Sequence, residues 1–351
     1  MFYDISDILL AHTHILTLDP LKHMENKTIY ITGATGFLGR NLLDALAPFK
    51  TTQLHLMVRP QSPKPSFEQA NISLHQSTLH DVAALTDSIP EQCDYVFHIA
   101  ANTSIWKKEA REQIKDNWDG TKNIVDACLA KQVGRLIHVS SVAAYDYHTG
   151  TLNEACEQRG GISKSPYAFS KFKAEEEVRR GIKAGLNAVI INPAHILGPH
   201  DRGNWVRMIK MVAENTLPGI PGGTGSFADA RQIARGMLTA ASQGQTGSNY
   251  IMGGPNISFL ELVTIMGSLL DKKVPSKTIP DWLLNFVGHS KELLAHFTGQ
   301  APDITPQGAR HATSKTIVDD SKAQTELDYQ HTPTERLLQD TIEWLRQTHQ
   351  I

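Results

Sequence analysis

Three glycines spaced by three, Gly33, Gly36 and Gly39, follow an apolar run from Thr28 to Thr32 and precede an amphipathic segment from Phe37 to Leu46. The order is strand, tight turn, helix. Glycine lets the backbone turn sharply, and the helix N-terminus then presents free N–H groups to an anion such as a nucleotide pyrophosphate. The spacing is G-x-x-G-x-x-G rather than G-x-G-x-x-G, and a turn that only packs helix on strand also uses glycine. The motif therefore needs support from the rest of the chain.

That support begins with the pattern from Lys27 onward, which alternates strand-like and helical runs and predicts an α/β fold, a doubly wound parallel Rossmann sheet with a smaller C-terminal substrate-binding lobe. Six parallel strands are expected, at 28–32, 54–58, 73–76, 95–99, 135–140 and 188–191, with helices at 37–46, 81–88, 115–131 and 167–184. After Asn192-Pro193 the character changes, and residues 217–225 read as a loop without regular structure. Further helices are expected at 229–240, 259–269 and 281–287, and a last one opens with Thr332 as N-cap, Pro333 next and Glu335 closing a capping box. The expected partition is a dinucleotide-binding domain at 27–192, with 226–252 returning to it, and a substrate lobe at 193–225 and 253–351.

Composition removes other classes. At 351 residues the chain can bury a large core, and a formal net charge of −2 gives no reason to expect nucleic acid or an anionic membrane as partner. The sixteen histidines are scattered without metal-ligand spacing, so no metal is expected. Three cysteines, Cys93, Cys128 and Cys156, form no C-x-x-C pair, which fits a reducing cytoplasm. No window reaches the apolar length of a membrane span. Residues 1–26 read as an N-terminal extension: Asp4 and Asp7 with short apolar runs (8–10, 15–18) do not make a signal peptide, and Met24 stands just before the first strand. An upstream start or a surface extension is favoured over a helical arm against a partner subunit.

Where the second strand ends stands Arg59, not an acid. A dinucleotide fold places its ribose-reading residue at this distance from the glycines. A carboxylate there would repel a 2′-phosphate, whereas arginine offers it a fixed fork of donors, with Lys64 nearby to add charge. NADP(H) is therefore favoured over NAD(H), which stays open.

Tyr167 and Lys171 lie four apart just after Pro166, on one face of a predicted helix. A phenol is a poor acid or base near neutrality, and an adjacent ammonium lowers its pKa. Ser140 and Ser141 end the fifth strand, where a hydroxyl can point into the cleft above the sheet. His98 and His138, within apolar strands, are expected to be buried and hydrogen-bonded, and Asp229 to cap the helix after it.

Taken together, Thr-Gly-Ala-Thr-Gly-Phe-Leu-Gly (32–39), Val-Phe-His-Ile-Ala-Ala (96–101), Asn117, Ser140-Ser141, Tyr167-x-x-x-Lys171 and Asn-Pro-Ala-His-Ile-Leu-Gly-Pro (192–199) make the chain resemble the extended short-chain dehydrogenase/reductase family, the NAD-dependent epimerase/dehydratase superfamily. Within it the chain is most similar to the dihydroflavonol-reductase-like branch. The resemblance implies Tyr167 as acid/base, Ser141 as donor to the substrate oxygen, Lys171 on the nicotinamide ribose, and Asn117 in support. It implies cofactor contacts at Gly33, Thr35, Gly36, Phe37, Leu38, Gly39, Arg59, Ala100, Ala101, Pro193 and Ile196, as well as Tyr167 and Lys171. Asn102, Thr103, His195 and Trp205 fall in segments that would face substrate, and a homodimer is the implied assembly. Asn192 departs from the arginine of many sugar-modifying members.

The reading that results is an NADP(H)-dependent reductase of a ketone or aldehyde on a small organic molecule, or the reverse alcohol oxidation. The alternative is a nucleotide-sugar epimerase or dehydratase with tightly bound NAD, and a third is a cofactor-sensing protein without chemistry. Trp205, Leu217, Ile220, Trp282 and Phe286 hint at an apolar substrate portion, although core packing explains them equally.

Overall fold

The apolar runs assemble into one parallel sheet in the computed structural model, which describes residues 21–62, 71–104, 106–146, 150–298 and 305–351. Lys64 and the stretch 1–20 of the extension lie outside these residues. In chain order come β1 (Thr28–Thr32), α1 (Phe37–Leu46), β2 (Gln53–Val58), β3 (Ile72–Gln76), α2 (Val82–Ser88), β4 (Tyr95–His98), α3 (Ala110–Ile114), a π-turn (Lys115–Asp119), α4 (Gly120–Ala130), β5 (Arg135–Val139), β6 (Thr151–Leu152), α5 (Pro166–Lys183) and β7 (Ala188–Pro193). Then follow β8 (His195–Leu197), α6 (Asn204–Ala213), β9 (Thr224–Asp229), α7 (Ala230–Gln243), β10 (Asn249–Met252), β11 (Asn256–Ser258), α8 (Phe259–Leu270), α9 (Asp281–Thr298), α10 (Pro306–Thr313), β12 (Ile317–Val318), α11 (Ser321–Leu327) and α12 (Thr334–Gln347).

The main sheet runs β10–β7–β5–β4–β1–β2–β3, every neighbouring pair parallel. Its order reverses between β1 and β4, which opens a crevice above the strand ends there. Side chains alternate between the two faces with period two. Ile29, Ile31, Phe97, Ile137 and Val189 join one core with α1 and α7, while Tyr30, Val96, Leu136 and Ile190 join another with α4 and α5. Helices on both faces bury both, so these strands read as continuous apolar runs. A separate cluster of Val206, Ile209, Ile220, Leu262, Met266, Leu337 and Ile342 forms beside the three-stranded sheet β11–β9–β8.

Several expectations need correction. The sheet has seven strands, not six: β10, four residues long, adds to the β7 edge. The helix expected from 115 starts at Ala110 and carries the π-turn in its middle, and the one expected to stop at 287 runs to Thr298. Thr224 and Gly225, expected in a loop, open β9 by pairing with Ser258 and Ile257. The hydroxyl of Thr332 does not cap the last helix; it donates to Asp229 Oδ2 at 2.8 Å, and α12 starts at Thr334. A tertiary acceptor held in place by Arg231 has won over the local backbone amide. Asp229 itself caps α7, accepting from the Arg231 amide at 2.9 Å, as expected.

Candidate active site

The glycine turn leaves no room for side chains. Gly33 has φ +76°, and a Cβ there would stand 2.6 Å from the Ala100 amide nitrogen. A Cβ on Gly39 would strike the Gly33 carbonyl and lie 2.7 Å from Ala34 Cα. Gly36 donates to Gly33 O at 3.0 Å and starts the ten-residue α1 with no side-chain cap on the first-turn amides. A narrow turn under an uncapped helix end fits a nucleotide pyrophosphate. The Leu38 side chain belongs to the core, so only its backbone is free to face a ligand. The Thr32 hydroxyl accepts from the Ala100 amide at 3.2 Å, which holds Ala100 and Ala101 across the crevice from the turn. Thr35 and Phe37 are half-buried at the turn, and Arg59 is exposed one residue beyond β2.

At the end of β5 the two serines diverge. Ser140 is buried, and its Oγ has no hydrogen-bond partner among the described residues. Ser141 Oγ accepts from the Ala143 amide at 3.1 Å and lies beside the Tyr167 phenol, where it favours the phenol's charged form. Tyr167 is held in the first turn of α5, where Pro166 is the first helical residue and Ser165 the N-cap, its Oγ accepting from the Ala168 amide at 3.1 Å. One turn on, Lys171 is 3% exposed and donates from Nζ to Val139 O at 3.0 Å. Burial lowers the Lys171 ammonium to about 8, with Glu175 pulling in the opposite direction. The Tyr167 phenol is raised, because desolvation outweighs the opposing effect of Ser141. The expected lowering of this phenol by the lysine is therefore not its state here. Tyr167 stays protonated at neutral pH, and Lys171 is directed at the Val139 carbonyl.

Asn117 lies in the π-turn, a conformation that recurs at functional sites. Buried, it accepts from the Asn102 amide at 2.7 Å and donates to Asn102 O and Ser170 Oγ, both at 2.9 Å. It thus clamps the loop after β4, with exposed Thr103, to the Tyr167 helix. Pro193 ends β7 and Ile196 lies within β8. His195 and Trp205 meet edge-on at 4.9 Å, and Trp205 packs on Phe227 and Phe259 at 4.7 and 5.8 Å, so both belong to an aromatic cluster. Ile220 is a core residue with Leu217 against it, whereas Trp282 and Phe286 are 70% and 65% exposed.

His98 and His138 are both buried, their rings 5.4 Å apart. His98 bonds the Thr32 and Thr121 hydroxyls at 2.8 and 3.1 Å, whereas both ring nitrogens of His138 lack a hydrogen-bond partner among the described residues, against expectation. Desolvation pushes the pKa of His98 down to about 3 and that of His138 well below the usual value. Sequence reasoning missed Glu175 and Asn249, which meet behind the site. Continuing the four-residue spacing from Tyr167 through Lys171 reaches Glu175, a signal that was available.

Among the described residues, no helix is long and apolar enough to cross a membrane, and no group of three or more His, Cys, Asp or Glu is arranged to hold a metal. The sequence pattern of the NAD dependent epimerase/dehydratase family matches residues 29–253. The chain is 27% identical over 326 residues to a putative dihydroflavonol 4-reductase of Synechocystis sp., covering 90% of this chain and 94% of that protein. The crystal structure of gox2253 superposes with a TM-score of 0.79 at 28% identity, over 93% of this chain and 100% of the other. UDP-glucuronic acid 4-epimerase from Bacillus cereus, solved with UDP-glucuronic acid and NAD, shares the fold at a TM-score of 0.72 and 21% identity, over 91% and 99% of the two chains.

Proposed function

The chain belongs to the NAD-dependent epimerase/dehydratase family of extended short-chain dehydrogenases/reductases and is an NAD(P)-dependent oxidoreductase of that type; we propose that it is an NADP(H)-dependent reductase of a ketone or aldehyde carbonyl on a small organic molecule. The observation that carries this reading is Ser141 placed beside Tyr167 and the buried Lys171 above β5, two strands from the glycine turn on β1 in the same sheet. The domain of residues 27–192 with 226–252 would hold the dinucleotide, and 193–225 with 253–351 would shape the substrate pocket. Amides of Phe37, Leu38 and Gly39 would face the pyrophosphate, with Gly36 letting the backbone approach it, Arg59 the 2′-phosphate, and Lys171, Pro193 and Ile196 the nicotinamide end.

A bound nicotinamide supplies the hydride to the carbonyl carbon. Ser141 orients the carbonyl oxygen by a hydrogen bond, and Tyr167, protonated at neutral pH, gives that oxygen its proton. Lys171, released from Val139 O, places a positive charge near the phenolate that forms. Asn117 holds the Asn102–Thr103 loop so that the cleft keeps its shape. Of the two classes among its relatives, reduction is favoured by Arg59 at the β2 end and by Asn192 in place of the arginine of many sugar-modifying members.

The test is a panel of aldehydes, ketones and flavanonols offered with NADPH and with NADH, read as loss of reduced-cofactor absorbance. Stoichiometric NADPH consumption is expected. Purified protein that carries NAD⁺ and epimerises a nucleotide sugar without net cofactor consumption would replace this reading with the epimerase one. The reading also carries a homodimer, which light scattering of the purified protein checks.

A further inference from the structure

Tyr167, Lys171, Glu175 and Arg179 follow one another at four-residue intervals along α5 and so share one helical stripe. Glu175, in the middle, is 0% exposed. Its carboxylate accepts from Gln158 Nε2 and Asn192 Nδ2 at 2.7 Å each, from Asn249 Nδ2 at 2.9 Å and from Arg179 Nη2 at 3.0 Å. Asn192 Nδ2 also donates to the Ser141 carbonyl at 3.0 Å, and Asn192 Oδ1 accepts from Asn249 Nδ2 at 2.7 Å. One buried anion thus ties together the Tyr167 helix, the ends of β5 and β7, and β10.

We propose that Glu175 and Asn192 are positioning residues: Glu175 is the buried counter-charge of Lys171, and Asn192 couples that carboxylate to the backbone of Ser141. The inference rests on the reading given above for Lys171 and Ser141. A carboxylate taken wholly out of water is strongly unfavourable unless donors and a cation surround it, and this one has four donors. Among the described residues, the groups around Lys171 leave Glu175 as the negative charge acting on it. From α5 these are Tyr167, protonated, and Arg179, whose guanidinium offsets part of the carboxylate charge. From β4 and β5 they are His98 and His138, both neutral because burial disfavours their charged forms, and the Val139 carbonyl. Asn192 stands where an arginine would compete with Lys171 for the same carboxylate. The neutral amide adds no second cation beside Arg179, so the rest of the carboxylate charge is left to act on the lysine.

The decisive experiment titrates the Lys171 side chain in the cofactor-free protein by NMR of ¹³C-labelled lysine, assigned with Lys171→Met, in wild type, Glu175→Gln and Arg179→Gln. Removing the carboxylate should move the Lys171 pKa down by about one unit, and removing the partly exposed guanidinium should move it up. A merely structural role would loosen the site in both variants and shift Lys171 the same way in both. Opposite shifts support the proposal. Shifts of one sign, or none, overturn it, and the Arg179 arm decides alone if Glu175→Gln does not fold. Because this readout needs no substrate, it stands apart from the failure of the reductase reading. In turnover, Asn192→Ala should lower kcat about tenfold with KM for NADPH little changed, since the Ser141 backbone loses its tie while the glycine turn is untouched. An unchanged kcat would remove Asn192 from the proposal.

Discussion

Arg59 is exposed at the end of β2, and its task in the proposed site is to meet a 2′-phosphate. A guanidinium opposite a phosphate forms charge-assisted, often bidentate hydrogen bonds. Arg59→Ser should therefore weaken NADPH binding about tenfold and leave NADH nearly unchanged, which fluorescence titration of both cofactors checks. Equal weakening of both would place the residue elsewhere in the site. The serines show what one residue of register decides. Ser140 and Ser141 are indistinguishable as letters in a sequence, yet just beyond β5 one is buried without a partner among the described residues and the other lies beside Tyr167, because successive residues of extended backbone face opposite ways.

At the scale of elements, the β1–turn–α1 unit depends on backbone contacts that any side chain would break. Gly39→Val should lower Tm, destabilising the protein by about 1–3 kcal/mol through overpacking, and should abolish dinucleotide binding. Calorimetry with a cofactor titration measures both; a variant that keeps wild-type Tm and affinity would contradict the packed turn. These elements were legible because their physics is local: strands buried on both faces give unbroken apolar runs, and Pro166 announces the start of α5. What escaped was set by distant partners. β10 is only four residues long and exists because β7 offers it an edge. Thr332 looked like a cap and became a ligand of Asp229. Asn117 was legible by its motif, but its place in a π-turn was not. Glu175 lay on a visible helical stripe, although nothing local reveals that Asn192 and Asn249 converge on it.

For the whole molecule, burial of His98 and His138 couples stability to pH. Both have native pKa values below their unfolded ones, so between about pH 6.5 and pH 3 the unfolded chain binds protons that the native state refuses. Stability must therefore fall as pH drops through that window, by about 2 kcal/mol per histidine between pH 7 and pH 5. Urea unfolding across this range checks the slope, and His138→Leu should flatten it by one proton. A wild-type stability that holds constant down to pH 5 would contradict the account of these two residues.

The same sheet holds the proposed chemistry at its strand ends, with the dinucleotide turn on β1 and the Ser141–Tyr167 pair above β5. The most direct test of that arrangement is Tyr167→Phe, assayed with NADPH and the carbonyl that the wild type reduces best. The variant should bind NADPH as the wild type does and lose about 10²–10⁴-fold in kcat, since only the proton donor has been removed. A Tyr167→Phe protein that reduces the carbonyl at the wild-type rate would contradict the assignment of this site.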